Sequence, residues 1–308
     1  MTAQVVCLGI ATLDAIVVVD RLPGSDERVP ASDGMLAGGG VAATAAVTLA
    51  RLGVPVAFVG RVGDDASGRL IRDGLADEGV DVRLLRLDAR RSPVSAVLIE
   101  AASGLRALAP YLGDEAPIRL VAEDLRACAD AEWVHVDELG VPTIAALQAA
   151  GIQTPVSVDD GTGRPAIAFE RVALYGPTAA VLSRRFPAGS LEAAAEHCLE
   201  AGPSLVVTTL GSGGSAAAEA TGHGVVHHRA PALEVEPVST LGAGDVFHGA
   251  LLAGLMDGQP IASALRFANA VSALACRGLD GRSAIPTRQE ADALLASTLP
   301  SHEATRRG

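Results

Sequence analysis

The residues with the clearest chemical potential lie in the run Ser239-Thr240-Leu241-Gly242-Ala243-Gly244-Asp245-Val246-Phe247-His248-Gly249, which follows a strand-like stretch, Leu233–Val238, and opens a helical one. Gly242, Ala243 and Gly244 are small enough to let backbone come close to a ligand. Successive N–H groups at a helix N-terminus attract anions, phosphate oxygens above all, because the dipole and the unpaired donors act together. Asp245 falls in the first turn of that helix. Two roles fit it there: a carboxylate that caps the helix, or a general base that takes the proton from an attacking hydroxyl.

Other chemistry-bearing types are sparser. Asp159-Asp160 ends a strand-like run and reads as a metal-proximal pair or as a solvated, capping turn. His223, His227 and His228 sit in a hairpin-like segment whose glycine and valines favour exposed turn histidines over metal ligands. His248 lies one helical turn beyond Gly244, near enough to touch a substrate or to satisfy a backbone group. Cys7, Cys128, Cys198 and Cys276 are too far apart for a zinc site or a disulfide framework, which fits a reducing compartment.

Composition removes several reaction classes. The 24 basic residues are all arginine, so a lysine Schiff base, a pyridoxal aldimine and the lysine of a P-loop are excluded. A net charge of -12 argues against nucleic acid as a partner. The N-terminus lacks the basic segment and apolar run of a secretory signal, and no apolar stretch is long enough to cross a membrane. The expectation is a cytoplasmic protein with a small-molecule substrate.

The elements that must position these residues alternate. Val5–Ile10, Val56–Val59, Val80–Leu87, Val156–Asp159 and Leu205–Thr209 read as strands. Helical stretches fall at Val41–Leu52, Gly68–Glu78, Pro142–Ala150, Leu191–Glu200, Asp245–Leu255 and Ile261–Cys276. Strand-helix alternation implies an α/β fold with a mainly parallel central sheet flanked by helices on both faces. Two β-like interruptions without helices, Ala15–Pro30 and Val94–Pro110, suggest a small separate sheet, and the polar tail Ser297–Gly308 reads as frayed. With 49% hydrophobic residues and 3% aromatic ones, the core must be aliphatic.

Taken together, these segments resemble the PfkB, or ribokinase-like, carbohydrate kinases. Thr240-Leu241-Gly242-Ala243-Gly244-Asp245-Val246-Phe247 is similar to their C-terminal signature, with Ser239 in place of its leading Asp. Gly38-Gly39-Gly40-Val41-Ala42-Ala43-Thr44, Ala50-Arg51-Leu52-Gly53 and Val59–Gly68 are similar to the N-terminal one, and the likeness runs from Gly9 to Pro286. It implies one ribokinase-like three-layer domain over residues 1–308, with a β-sheet lid from about 15–35 and 92–112, and a homodimer through that lid. It further implies ATP-dependent phosphorylation of a sugar hydroxyl, with Mg2+ bound through the nucleotide.

The resemblance also implies roles. Asp245 becomes the base and the Gly242-Ala243-Gly244 turn the anion hole. Asp14, Gly39, Gly40 and Thr44 fall at the sugar site, and Thr209, Gly211, Gly214, Thr240 and Asn269 at the nucleotide site. Arg106 matches a lid arginine, or is a surface hairpin charge. The nearest subgroup is that of sulfofructose kinases, in which Arg28 would supply a basic residue to the anion pocket. A sulfofructose or sugar-phosphate kinase is therefore one alternative, and a catalytically silent sugar- or nucleotide-binding regulator another. The family's N-x-x-E motif has no counterpart in Leu174–Val181, which leaves Asp159 as the candidate metal ligand, and Ser239 puts a monovalent cation in question. A dinucleotide-binding dehydrogenase would need a Gly-rich turn after the first strand, and Gly9–Asp14 does not supply one.

Overall fold

The computed structural model describes residues 2–113 and 117–298. In chain order, β1 (Val5–Leu8) is followed by β2 (Thr12–Val19), β3 (Ala31–Gly39), α1 (Val41–Arg51), β4 (Val56–Gly63), α2 (Ala66–Asp77), β5 (Leu85–Asp88), β6 (Val94–Glu100) and β7 (Arg106–Tyr111). The chain continues through α3 (Ala122–Asp130), β8 (Trp133–Val136), α4 (Thr143–Ala149), β9 (Val156–Asp160), β10 (Leu174–Pro177), α5 (Ala179–Arg185) and α6 (Leu191–Glu200). It closes with β11 (Leu205–Thr209), β12 (Ser215–Thr221), β13 (Gly224–Ala230), α7 (Ala243–Met256), α8 (Ile261–Ala275) and α9 (Arg288–Ser297).

Nine strands form the main sheet in the order β13-β12-β11-β10-β9-β8-β1-β4-β5. Pairing is parallel from β11 to β5, while β12 pairs antiparallel with both β11 and β13. The alternation of β1 shows how this sheet divides its core. Val5 and Cys7 face one apolar cluster with α1, α2, α7 and α8, while Val6 and Leu8 face a second with α3, α4, α5 and α6. The aliphatic composition has a packing consequence where α1 meets α7. A Cβ on Gly249 would lie 2.7 Å from the Ala45 carbonyl, so the two helices touch at backbone distance. Larger residues would force them apart.

The second sheet has the order β3-β2-β6-β7, with β2 and β6 parallel and the outer pairs antiparallel. Its strands run further than expected, from Thr12 to Gly39 on one side and to Tyr111 on the other. Ile16, Ala37, Val97 and Ile99 form its inner face and pack on Leu241 and Leu279, so the small sheet covers the loops leading into and out of the α7–α8 pair.

Two expectations need correction. Leu233–Val238 forms no strand: β13 already occupies the sheet edge, Pro237 has no amide to donate, and the Val238 and Ser239 amides bond the Cys276 carbonyl instead. The strand expected from Val80 begins at Leu85, Asp81 making only a single bridge to Ala57. Most of the tail expected to fray lies outside the described residues. No helix of the described residues is long and apolar enough to cross a membrane.

Candidate active site

The main sheet reverses its direction of growth at β1, with β4 on one side and β8 on the other. Crevices at the C-terminal ends of strands beside such a switch are where α/β sheets bind ligands. Asp137, which follows β8, organises this one. Its carboxylate accepts the amides of Ile10 at 2.7 Å, Ala42 at 3.2 Å, Leu139 at 2.9 Å and Gly140 at 3.0 Å. It thereby ties the ends of β1 and β8 to the start of α1. Burial pushes its pKa up to about 6, although the four amides oppose the shift.

On one side of the crevice lies the turn Gly38-Gly39-Gly40. Gly40 has φ +93°, and a Cβ there would meet the Ile10 carbonyl at 2.5 Å, so only glycine fits. Asp14, on the inner face of the small sheet, is buried and accepts a bond from Thr12 Oγ1 at 2.7 Å. Gly39 lies directly against that carboxylate. Thr44 is buried and accepts from Arg282 Nε at 3.2 Å, so its hydroxyl is held by protein. Arg28 is exposed in the segment between β2 and β3 and makes no hydrogen bond or ion pair with these residues.

Facing this turn is the start of α7. Gly242, at φ +73°, packs on Gly281, and Ser239 Oγ accepts the Leu241 amide at 3.1 Å. No side chain caps α7, so its first-turn amides keep hydrogen-bonding capacity for an anion. Asp245 stands half-buried in that turn. Burial first, then the Asp137 and Asp14 charges, push its pKa up to about 7 against the opposing pull of Arg282. A carboxylate poised there can accept a proton near neutral pH.

Beyond Gly244 opens a cavity of about 550 Å³ lined by Thr209, Gly211, Gly214, Thr240, Asn269 and Arg106, among others. The five residues expected at a nucleotide site thus share one cavity with the α7 N-terminus. Asn269 shapes its wall by donating Nδ2 to the carbonyls of Ala230 at 3.1 Å and Pro231 at 3.0 Å. Arg106 reaches across from β7 to donate to Thr240 Oγ1, which places it on this side of the crevice and not beside Asp14.

Asp159 and Asp160 have parted roles, and neither is a solvated turn. Asp160 is fully buried and accepts from Tyr175 Oη and Arg185 Nε, each at 2.8 Å. Asp159 is buried beside His248, whose Nε2 lies 3.5 Å from Asp159 Oδ1, while its Oδ2 has no partner. Burial, then the charge of Asp245, raises its pKa. An unspent buried carboxylate oxygen near Asp245 fits a divalent cation. Among the described residues no group of three or more His, Cys, Asp or Glu could hold one alone, so phosphates and water would complete the shell. His248 fits because β10 has Gly176 there: a Cβ would lie 2.3 Å from the ring. Burial, with help from His135, lowers its pKa to about 3 and keeps it neutral. His227 and His228 pair with Glu196 and Glu219 at the outer hairpin, away from the crevice.

Sequence reasoning passed over Asp137 and Arg282. Asp137 carried only a faint signal, a carboxylate directly after a buried strand. Arg282 is brought to the crevice by contacts across 243 residues, which no local pattern reveals.

Comparison with known proteins gives the family and the fold. The pfkB family carbohydrate kinase profile matches residues 2–162 and 179–288, and the chain belongs to that family. It is 32% identical over 302 residues to a fructokinase of Klebsiella pneumoniae, covering 89% of this chain and 95% of the relative. It is 29% identical to a ribokinase of Arabidopsis thaliana, covering 94% and 80%. The structure of Arabidopsis thaliana ribokinase complexed with ribose and ATP superposes with a TM-score of 0.82 at 27% identity, over 96% of this chain and 99% of that one. The fold is ribokinase-like, and the chain is a carbohydrate kinase.

Proposed function

We propose that the protein transfers the γ-phosphoryl group of ATP to a hydroxyl of a sugar. The observation that carries this reading is the convergence of three features: the uncapped start of α7, Asp245 in its first turn, and the Asp14–Gly39 pair facing it across the crevice. A sugar held by Asp14 and the Gly39-Gly40 backbone presents a hydroxyl to Asp245, which accepts its proton as the oxygen attacks phosphorus. The bond from phosphorus to the bridging oxygen breaks, and ADP leaves. The amides of Gly242–Gly244 stabilise charge on the transferring group, an effect worth about 3–4 kcal/mol per donor in comparable sites.

ATP occupies the cavity beyond Gly244, with Thr209, Gly211, Gly214, Thr240 and Asn269 around it and Arg106 closing it from the small sheet. Mg2+ would neutralise its phosphates, and Asp159 is the protein carboxylate that would help hold it. Arg28 stands in solvent, and the two carboxylates Asp137 and Asp14 outnumber Arg282 among the charges that act on the base Asp245. That balance supports an uncharged sugar over a sulfonated or phosphorylated one. The outward face of the small sheet carries Leu36, Val94 and Tyr111, all exposed, and the strand register places Ala15 and Ala96 beside them. This apolar patch supports a homodimer in which two lids pack together, measurable as molecular mass by light scattering.

The deciding experiment couples ADP release to a panel of ribose, fructose, other free sugars, sugar phosphates and sulfofructose. Turnover with a neutral sugar is expected. ADP release that no sugar stimulates would sink the reading.

A further inference from the structure

Arg282 is buried, 6% exposed, yet forms no salt bridge among the described residues. A buried guanidinium without a paired carboxylate is expensive, because desolvation is not offset by a direct ionic contact. Here it has only neutral acceptors: Nη2 donates to the Gly39 carbonyl and Nε to Thr44 Oγ1 at 3.2 Å. Nη1 has no hydrogen bond within the described residues and lies where a side chain on Gly38 would stand, 2.3 Å from the Cβ position.

The chain takes care to hold this residue. Arg51, ion-paired to Glu78, donates Nη1 to the carbonyls of Arg282 and Ile285, each at 2.8 Å. Asp280 accepts the Ser283 amide at 2.9 Å. Gly281, the preceding residue, lies against Gly242 at the foot of the anion hole. The 280–285 loop is therefore pinned to α1 by its backbone, to the Gly38–Gly40 turn by the Arg282 side chain, and to the start of α7 by Gly281.

We propose that Arg282 is a further functional residue of the phosphoryl-transfer site: it clamps the acceptor turn at Gly39 to the donor turn at Gly242 and aims an unpaired cationic N–H group into the crevice, toward the transferring phosphoryl group. This rests on the kinase reading above. An arginine supplied from within the chain stabilises charge that develops on the transferring group. Fixing the two turns also holds acceptor and donor at reacting distance.

The charges around it are consistent with that role. Arg282 feels Asp14, Asp245, Glu78 and Asp280, and with a pKa lowered by burial only to about 10 it stays protonated at neutral pH. Asp245 in turn feels Asp137 and Asp14, which favour its neutral form, and Arg282, which favours its ionised form; Asp159 is coupled to it as well. Removing the cation alone leaves only carboxylates facing the base, so the base must titrate at higher pH.

The test compares wild type, Arg282→Met and Arg282→Lys in steady-state kinetics over pH 5–9 (about that span brackets the base), with ADP binding by calorimetry. For Arg282→Met we expect kcat/KM for the sugar to fall about a hundredfold or more. The acidic limb of its pH profile should move up, with ADP affinity within about threefold of wild type. Arg282→Lys keeps the charge but cannot reach both Gly39 and Thr44 from one planar group. It should restore the limb without restoring the rate. An active wild type with Arg282→Met inside threefold of it and an unmoved limb overturns the proposal alone. If Arg282→Met does not fold, Arg282→Lys decides, and a wild-type rate in it overturns the clamp. An inactive wild type overturns both this proposal and the kinase reading.

Discussion

A Cβ placed on Gly39 would lie 2.1 Å from Asp14 Oδ2 and 2.6 Å from Thr12 Oγ1, so the glycine is what allows the Asp14 carboxylate to stand against the turn backbone. Gly39→Ala must displace Asp14 or open the turn. Its φ is not in the left-handed region, so the penalty is local crowding and not backbone strain. The expected result is a sugar KM raised at least about tenfold with ADP affinity unchanged. A fall in ADP affinity of the same size, measured by calorimetry, would place the turn on the wrong substrate.

Asp245→Asn separates chemistry from stability. As the proposed base, Asp245 must be ionised, so kcat/KM should rise with pH through a limb near its pKa of about 7, and Asn should remove most turnover. The linkage has a definite sign. The folded pKa lies well above the ordinary value of an aspartate, so the ionised carboxylate destabilises the fold, and stability present at acid pH is lost as pH rises through about 7. Asn abolishes that loss. The variant should therefore melt higher than wild type at pH 8, by on the order of a few °C, and at the same temperature below pH 4. Equal melting temperatures at pH 8 would contradict the shift.

Gly242 and Gly244 make a paired control. Gly242 has φ +73° and a Cβ there would meet Gly281 Cα at 2.9 Å, so Gly242→Ala should destabilise the fold by about 1–2 kcal/mol in urea titrations. Gly244 has an ordinary φ, and a Cβ there meets nothing within 4 Å. Its open side is the cavity mouth. Gly244→Ala should fold with wild-type stability and lose nucleotide affinity or turnover, because the added methyl enters space left for phosphate. Unaltered kinetics in this variant would mean that phosphate does not sit there.

The strands β1, β9 and β11 and the helices α1, α2, α6, α7 and α8 were legible because burial on two faces leaves continuous β-branched runs, and amphipathic helices leave a period. Leu233–Val238 has the same β-branched look but no free sheet edge to join, and edge availability is a tertiary fact. At the candidate site, Asp245 and its glycines were legible because the turn and the uncapped helix start are made of consecutive residues. Arg106 was visible as a residue but not as a neighbour of Thr240, since the small sheet folds over from another part of the chain. Asp137 and Arg282 act through contacts with β1, α1 and the Gly38–Gly40 turn, and only the assembled crevice gives them meaning.

The metal offers the last test. Asp159 Oδ2 is buried without a partner, and its neighbours Asp245, Asp137, Glu138 and Asp160 all disfavour its charge. Such a carboxylate gains most from a cation. Asp159→Asn removes the charge and keeps the shape, so the fold without metal should be as stable as wild type or more so. With the nucleotide, the variant should need about tenfold or more Mg2+ for half-maximal activity, while ADP binding in the presence of a chelator stays unchanged. The second measurement matters because a damaged cavity would weaken ADP with or without metal, whereas a lost metal contact weakens it only when Mg2+ is present. An Mg2+ requirement equal to that of wild type would assign the cation to phosphates and water alone.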